Sequence, residues 1–249
     1  MKDAKVRLYV DQPLGAGQSV VLSREHAHYL FTVMRLPLGG SVLVFDGVSG
    51  EWRAEIVVAQ KKKGALQCIE QTSPQRTPPD LWLLFAPIKK ARTDFIVEKA
   101  TELGAARLVP VKTEFTNSER IRLDRLQAHA VEAAEQCGGT FVPPIANVIK
   151  LKELLANWPA DRKMLFCDET LVSDPSSGEK YLGGFAKRMG AKPPPTAILI
   201  GPEGGFSDRE RAELRGMATS ISLGPRILRA DTAAVSALTL WQARYGDWA

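Results

Sequence analysis

Two short glycine-bearing stretches hold the residue types best suited to chemistry. Ile198 to Ser207 reads ILIGPEGGFS, and Leu223 to Ala234 reads LGPRILRADTAA. In the first, an apolar run (Ala197 to Ile200) meets glycines and a proline before a charged helical segment begins. That order is a strand, a tight turn and a helix start. Gly201, Gly204 and Gly205 keep the turn free of side-chain bulk, so its backbone can approach a ligand closely. Ser207 and Glu210 have capping-box spacing. No GK[ST] follows the glycines and the pattern is not GxGxxG, so a triphosphate or dinucleotide held in the usual way is not expected. Such a turn can instead offer backbone hydrogen bonds to a neutral, planar group such as adenine. The second stretch runs from a strand end into a helix. Asp231 or Thr232 can cap that helix. Read alone, Arg226 and Arg229 are equally surface charges, and Asp231 is equally a plain cap. Arg229, beside a helix start and a glycine turn, is the arginine better placed for chemistry.

A second set of cations lies earlier. Lys89, Arg92 and Lys99 fall on one helix face, with Lys90 beside them. Such a face suits phosphate contacts and equally suits solvation. Arg7, His28 and Arg35 are unremarkable by spacing, with core or surface roles as the default. Lys61-Lys62-Lys63 reads as a solvated hairpin tip before an RNA contact. Cys68, Cys137 and Cys167 lack CxxC spacing, which argues against a disulfide framework and suits a reducing cytoplasm. His26, His28 and His129 form no HExxH or similar pattern, so no metal is expected. The net charge of +5 permits nucleic-acid binding without demanding it, because the basic excess is spread along the chain. No apolar run approaches the ~20 residues of a membrane helix. The opening MKDAKVRLYV has no apolar core, so no signal peptide is expected.

The elements that must position these residues divide at a Pro-rich stretch, Thr72 to Asp80. Residues 1–73 read as a small β-barrel domain, 74–80 as linker and 81–249 as an α/β domain. In the first part, short strands at Val6–Val10, Gln18–Leu22, Ser41–Phe45, Trp52–Val58 and Ala65–Ile69 are separated by glycine turns. One helix, Glu25 to Met34, interrupts them after Ser23. From Leu81 strands and helices alternate, which implies a mainly parallel sheet with ligands beyond the carboxyl ends of its strands. The spacing predicts helices at about 89–103, 119–137, 151–156, 208–216 and 232–245, and a short piece around Tyr181 to Met189. The last helix is apolar almost all round, so it is buried or lies at an interface.

The combination of LLFAPIKKARTDFIVEKATELGA, VEAAEQCGG, ILIGPEGGFS and LGPRILRADTAAVSALTLWQ resembles the RsmE family of ribosomal RNA methyltransferases. VMRLPLGGSVLVFDG resembles the PUA-like barrel of the same family, so the likeness covers nearly the whole chain. The resemblance implies an α/β fold of SPOUT type. A trefoil-knotted parallel-sheet domain would follow a PUA-like β-barrel, and the chains would form a homodimer in the cytoplasm. It implies methylation of N3 of a uridine in 16S ribosomal RNA of the 30S small subunit, with S-adenosyl-L-methionine as donor and no membrane partner. The donor pocket would use Ile200, Gly201, Gly204, Gly205, Leu223, Gly224, Ile227, Leu228, Arg229, Ala230 and Thr232, with Glu169 reaching it. Arg229 would stabilise the charge that develops on the base, with Asp231 or a water as proton acceptor. Arg7, Arg35, Lys89, Lys90, Arg92 and Lys99 would hold the RNA. Asp231 stands where the family usually has Glu, and Gly139 and Asn117 stand where it commonly has Arg. Two rival readings are a SPOUT ribose 2′-O-methyltransferase and a non-catalytic RNA-binding protein.

Overall fold

A computed structural model describes residue 4 and residues 6–117, 121–173 and 194–248. The piece expected around Tyr181 to Met189 lies outside them, as does Glu119, the expected start of a helix. The chain divides into two compact units, 1–77 with 134–142 and 78–133 with 143–249. Residues 134–142, expected within the second domain, therefore group with the first.

The first unit is built on one five-stranded sheet. Its strands are β1 (Arg7–Tyr9), β2 (Ser19–Val21), β3 (Ser41–Phe45), β4 (Glu51–Gln60) and β5 (Lys63–Ser73), in the order β1-β3-β4-β5-β2. β1 pairs parallel with β3, and the other pairs are antiparallel. Alternation sends Val42 and Val44, Ala54 and Ile56, and Leu66 and Cys68 into a common core. The β4–β5 register slips at three places, which bends the long hairpin. Lys61 and Lys62 form its turn and are exposed. The expected single helix is split. α1 (Arg24–His28) is capped by Ser23 Oγ, which accepts from His26 N at 3.0 Å, and it continues as a π-helical turn over Tyr29–Val33.

In the second unit six parallel strands form a sheet. They are β6 (Leu81–Phe85), β7 (Arg107–Lys112), β8 (Ile149–Lys150), β9 (Lys163–Cys167), β10 (Thr196–Ile200) and β11 (Thr219–Ile221), in the order β11-β9-β10-β6-β7-β8. β10 sits between β9 and β6 and is buried at all five residues. That is why its sequence is apolar without alternation. Helices α2 (Lys90–Glu102), α3 (Leu123–Cys137), α4 (Leu151–Ala156), α5 (Asp208–Met217) and α6 (Ala230–Tyr245) connect or follow the strands.

The last helix is one-sided in its burial. Ala233, Ala234, Ala237, Leu238 and Trp241 are buried, while Leu240 is 46% exposed. Its alanines let it pack on α2. The fully buried Gln242 donates through Nε2 to Leu103 O at 2.7 Å and Gly104 O at 3.2 Å. These carbonyls at the end of α2 would otherwise lack partners. The parallel sheet thus brings the carboxyl ends of six strands to one edge, and the strand order reverses around β9, β10 and β6. Open parallel sheets bind ligands at such an edge.

Candidate functional site

At this edge a cavity of about 330 Å³ opens beyond β9, β10 and β11. It is large enough for a nucleoside-sized ligand. Three segments line it. Ile200 to Gly205 follow β10, Leu223 and Arg226 to Ala230 follow β11, and Cys167 to Glu169 follow β9. The two glycine-bearing stretches, far apart in sequence, therefore meet around one space.

Local rules shape the first wall. Gly205 adopts φ +69°, a conformation other residues rarely take. A Cβ there would also collide with the Glu169 carboxylate. The capping box then starts α5, with Ser207 Oγ accepting from Glu210 N at 3.3 Å and Glu210 Oε2 accepting from Ser207 N at 3.1 Å. On the second wall, the N-cap of α6 is Arg229, with no side-chain cap bond. Asp231 and Thr232, expected as caps, stand two and three residues past the N-cap because the helix begins at Ala230.

An ion network builds the wall that follows β9. The Asp168 side chain is wholly buried. It accepts from Thr170 Oγ1 at 2.7 Å, Arg215 Nη2 at 2.8 Å and Arg211 Nη1 at 3.3 Å. Burial pushes its pKa up, but the bonds from Thr170 and Arg215 more than offset that and hold it below the usual carboxylate value. Arg211 also donates to Glu169 Oε1 at 2.8 Å and Phe206 O at 2.7 Å. One guanidinium thereby joins the β9 wall to the β10 wall. Burial, with Glu169 adding to it, raises the Cys167 thiol far above its ordinary value. Cys167 lines the cavity with its thiol held in the neutral form.

The expected site residues fall into three groups. Ile200, Gly201, Gly204, Gly205, Leu223, Ile227, Leu228, Arg229 and Ala230 line the cavity, as does Glu169. Gly224 and Thr232 do not line it. Gly224 N donates to Ser222 Oγ at 3.3 Å, and exposed Thr232 turns its N–H to Asp231 Oδ1 at 2.9 Å. Asp231 is the second residue expected to be catalytic. Its carboxylate does not line the cavity and instead accepts from Arg92 Nη1 at 2.8 Å. That bond also removes Arg92 from the set of free cations. Lys99 pairs with Glu102 at 2.7 Å. Arg7, expected on the RNA, is an internal strut of the first unit. It donates to Glu51 Oε2 at 2.6 Å, to Ala134 O and to Gly139 O, and it stacks over Phe45. Arg35, Lys89, Lys90, Arg226 and Arg229 are exposed, and no ion pair engages them among the described residues. Sequence reasoning passed over Cys167, Asp168, Val172 and Ser222, all of which line the cavity. The position of Cys167 to Glu169 just past a buried strand was the available signal.

The chain's second part, residues 75–242, matches the RNA methyltransferase domain family, and residues 22–67 match the RNA methyltransferase PUA domain. The chain belongs to the RNA methyltransferase domain family. Two relatives are each named Ribosomal RNA small subunit methyltransferase E. The one from Synechocystis sp. is 32% identical, over 88% of this chain and 71% of the relative. The one from Rickettsia conorii is 29% identical, over 93% of each. The crystal structure of the Neisseria gonorrhoeae protein of that name, bound to S-adenosyl methionine, superposes with a TM-score of 0.83 at 26% identity, covering 98% of this chain and 99% of that one. The RsmE resemblance of the sequence and the PUA-plus-parallel-sheet fold it implied are both met.

The residues here suit that donor. Ile200, Leu223, Leu228 and Val172 supply apolar walls for a flat base, and the glycine turn exposes backbone groups beside them. The half-buried Glu169 and exposed Glu203 suit hydroxyls or an ammonium. Among the described residues, no lysine lines the space.

Proposed function

We propose that this chain methylates N3 of a uridine in small-subunit ribosomal RNA, using S-adenosylmethionine. The observation carrying this reading is the convergence of 200–205 and 223–230 on one cavity at the strand ends. When bound, S-adenosylmethionine supplies an electrophilic methyl carbon on a positively charged sulfur. The chain's work is then to align an acceptor with that carbon, and positioning of this kind can supply much of the rate. Uracil N3 bears a weakly acidic proton, and its removal leaves negative charge on the base. The Arg229 guanidinium at the cavity wall, exposed and without an ion pair among the described residues, is suited to stabilise that charge. With Asp231 engaged by Arg92, water is the proton acceptor in this reading. N3 lies on the pairing edge, so the target base must be unpaired or flipped. Arg35, Lys89 and Lys90 are the cations left to hold phosphates.

The same reading takes 1–73 as the RNA-binding domain, 74–80 as the linker and 81–249 as the methyltransferase domain. It also includes the trefoil knot, a homodimer and a cytoplasmic location. No helix among the described residues is long and apolar enough to cross a membrane. The test is methylation of small subunits from a strain lacking this gene, with the product mapped by mass spectrometry. The expected product is one uridine carrying a base methyl at N3. A methyl on a ribose 2′-oxygen would replace this reading with the ribose-methylating alternative, and no transfer would leave an RNA-binding role.

A further inference from the structure

We infer that Phe115 is the platform on which the target base stacks beside the methyl-donor cavity. This rests on the RNA base-methylation reading above. Phe115 follows β7 at the same carboxyl edge of the sheet, and its side chain is 43% exposed. Single exposed apolar residues are ordinary, but three further observations set this one apart.

First, the phenyl group lies against the cavity turn. A Cβ added to Gly204 would stand 3.2 Å from Phe115 Cβ and 3.7 Å from Cγ. Gly204 is not among the residues with positive φ. The tight contact at 204 therefore comes from Phe115 and not from a left-handed backbone. Second, the loop holding Phe115 is pinned. Thr113 N donates to Thr116 Oγ1 at 2.9 Å, the two hydroxyls meet at 2.8 Å, and Thr116 N donates to Thr113 O at 3.2 Å. Third, the pin is shared with the turn. Glu210 Oε1 accepts from Glu114 N at 2.8 Å while Oε2 closes the capping box after Gly205. One buried carboxylate therefore ties the backbone next to Phe115 to the segment that follows the glycine turn.

A half-exposed ring beside the glycine turn of the donor cavity suits an extruded pyrimidine, because a base taken out of its stack regains stacking on an aromatic face. Exposed Lys89 and Lys90 open α2 at the end of the neighbouring strand, where they can meet the flanking phosphates.

The experiment compares Phe115→Ala, Phe115→Leu and Phe115→Trp with the wild type. It measures kcat/KM on small subunits lacking the modification, and S-adenosylmethionine affinity by calorimetry. Loss of one base–aromatic stack should lower kcat/KM by on the order of ten- to a hundredfold in the Ala and Leu variants. Donor affinity should hold in all, and Trp should keep near wild-type turnover. Leu rescuing as well as Trp would reduce Phe115 to apolar packing and overturn the inference. So would unchanged turnover in Ala, or donor affinity falling in step with turnover. Mass spectrometry of the wild-type product separates the two claims. If the wild type forms no base-methylated uridine, the functional reading fails. If it does and Ala is as active, only the stacking role fails.

Discussion

Arg229→Ala is expected to slow methyl transfer by about 10²–10³-fold, the usual cost of removing one donor aimed at developing charge. S-adenosylmethionine affinity should change little. The reason is geometric. Arg229 supplies backbone as the N-cap of α6, with Ala233 N donating to its carbonyl at 2.7 Å. Alanine preserves that role. The side chain is exposed and makes no bond within the described residues, so its removal leaves no buried partner stranded. Arg229→Lys should recover part of the rate, since charge is kept while the planar fork is lost. Single-turnover kinetics on small subunits, beside donor calorimetry, checks this. Full turnover in the alanine variant would take Arg229 out of the mechanism.

Asp168→Ala is expected to cost about 3 kcal/mol of folding stability, the lower end for breaking a buried ion pair. The lower end applies because Asp168 is wholly buried and the Arg211 side chain is 14% exposed, but Arg215 is 47% exposed and partly solvated. The pH dependence follows from the sign of the shift. The folded carboxyl titrates below its unfolded value of about 3.9, so its contribution is complete above that pH. It is lost as the pH falls through the lower folded value. Urea unfolding should therefore show a wide gap between wild type and variant at neutral pH, closing in strong acid. Equal stability at neutral pH would mean that Asp168 contributes nothing net. Because Arg211 bonds both Glu169 and Phe206 O, the variant should also loosen the donor cavity.

What could be read from sequence follows the range of each interaction. The turn and capping box at Gly201 to Glu210 were legible because every determinant lies within ten residues. β6 and β10 were legible because burial on both faces leaves a continuous apolar run. The pairing of Asp231 was hidden because its partner Arg92 is 139 residues away, and no local pattern marks such a pair. Arg7 misled for the same reason, with acceptors 127 and 132 residues along the chain. β8 has two residues, too few for any periodicity, and exists by pairing with the end of β7. The share of the site after β9 was read only as Glu169 by family likeness. Its neighbour Asp168 is an acid whose burial becomes sensible only once Arg211 and Arg215 arrive from α5.

The central claim is that 200–205 and 223–230 jointly hold the methyl donor. A crystal structure of this chain grown with S-adenosylmethionine tests it most directly. The account expects the adenosyl group between the Gly201–Gly205 turn and the Leu223–Ala230 loop, beyond the ends of β9, β10 and β11. Donor density elsewhere on the chain, or touching only one of the two segments, would contradict it.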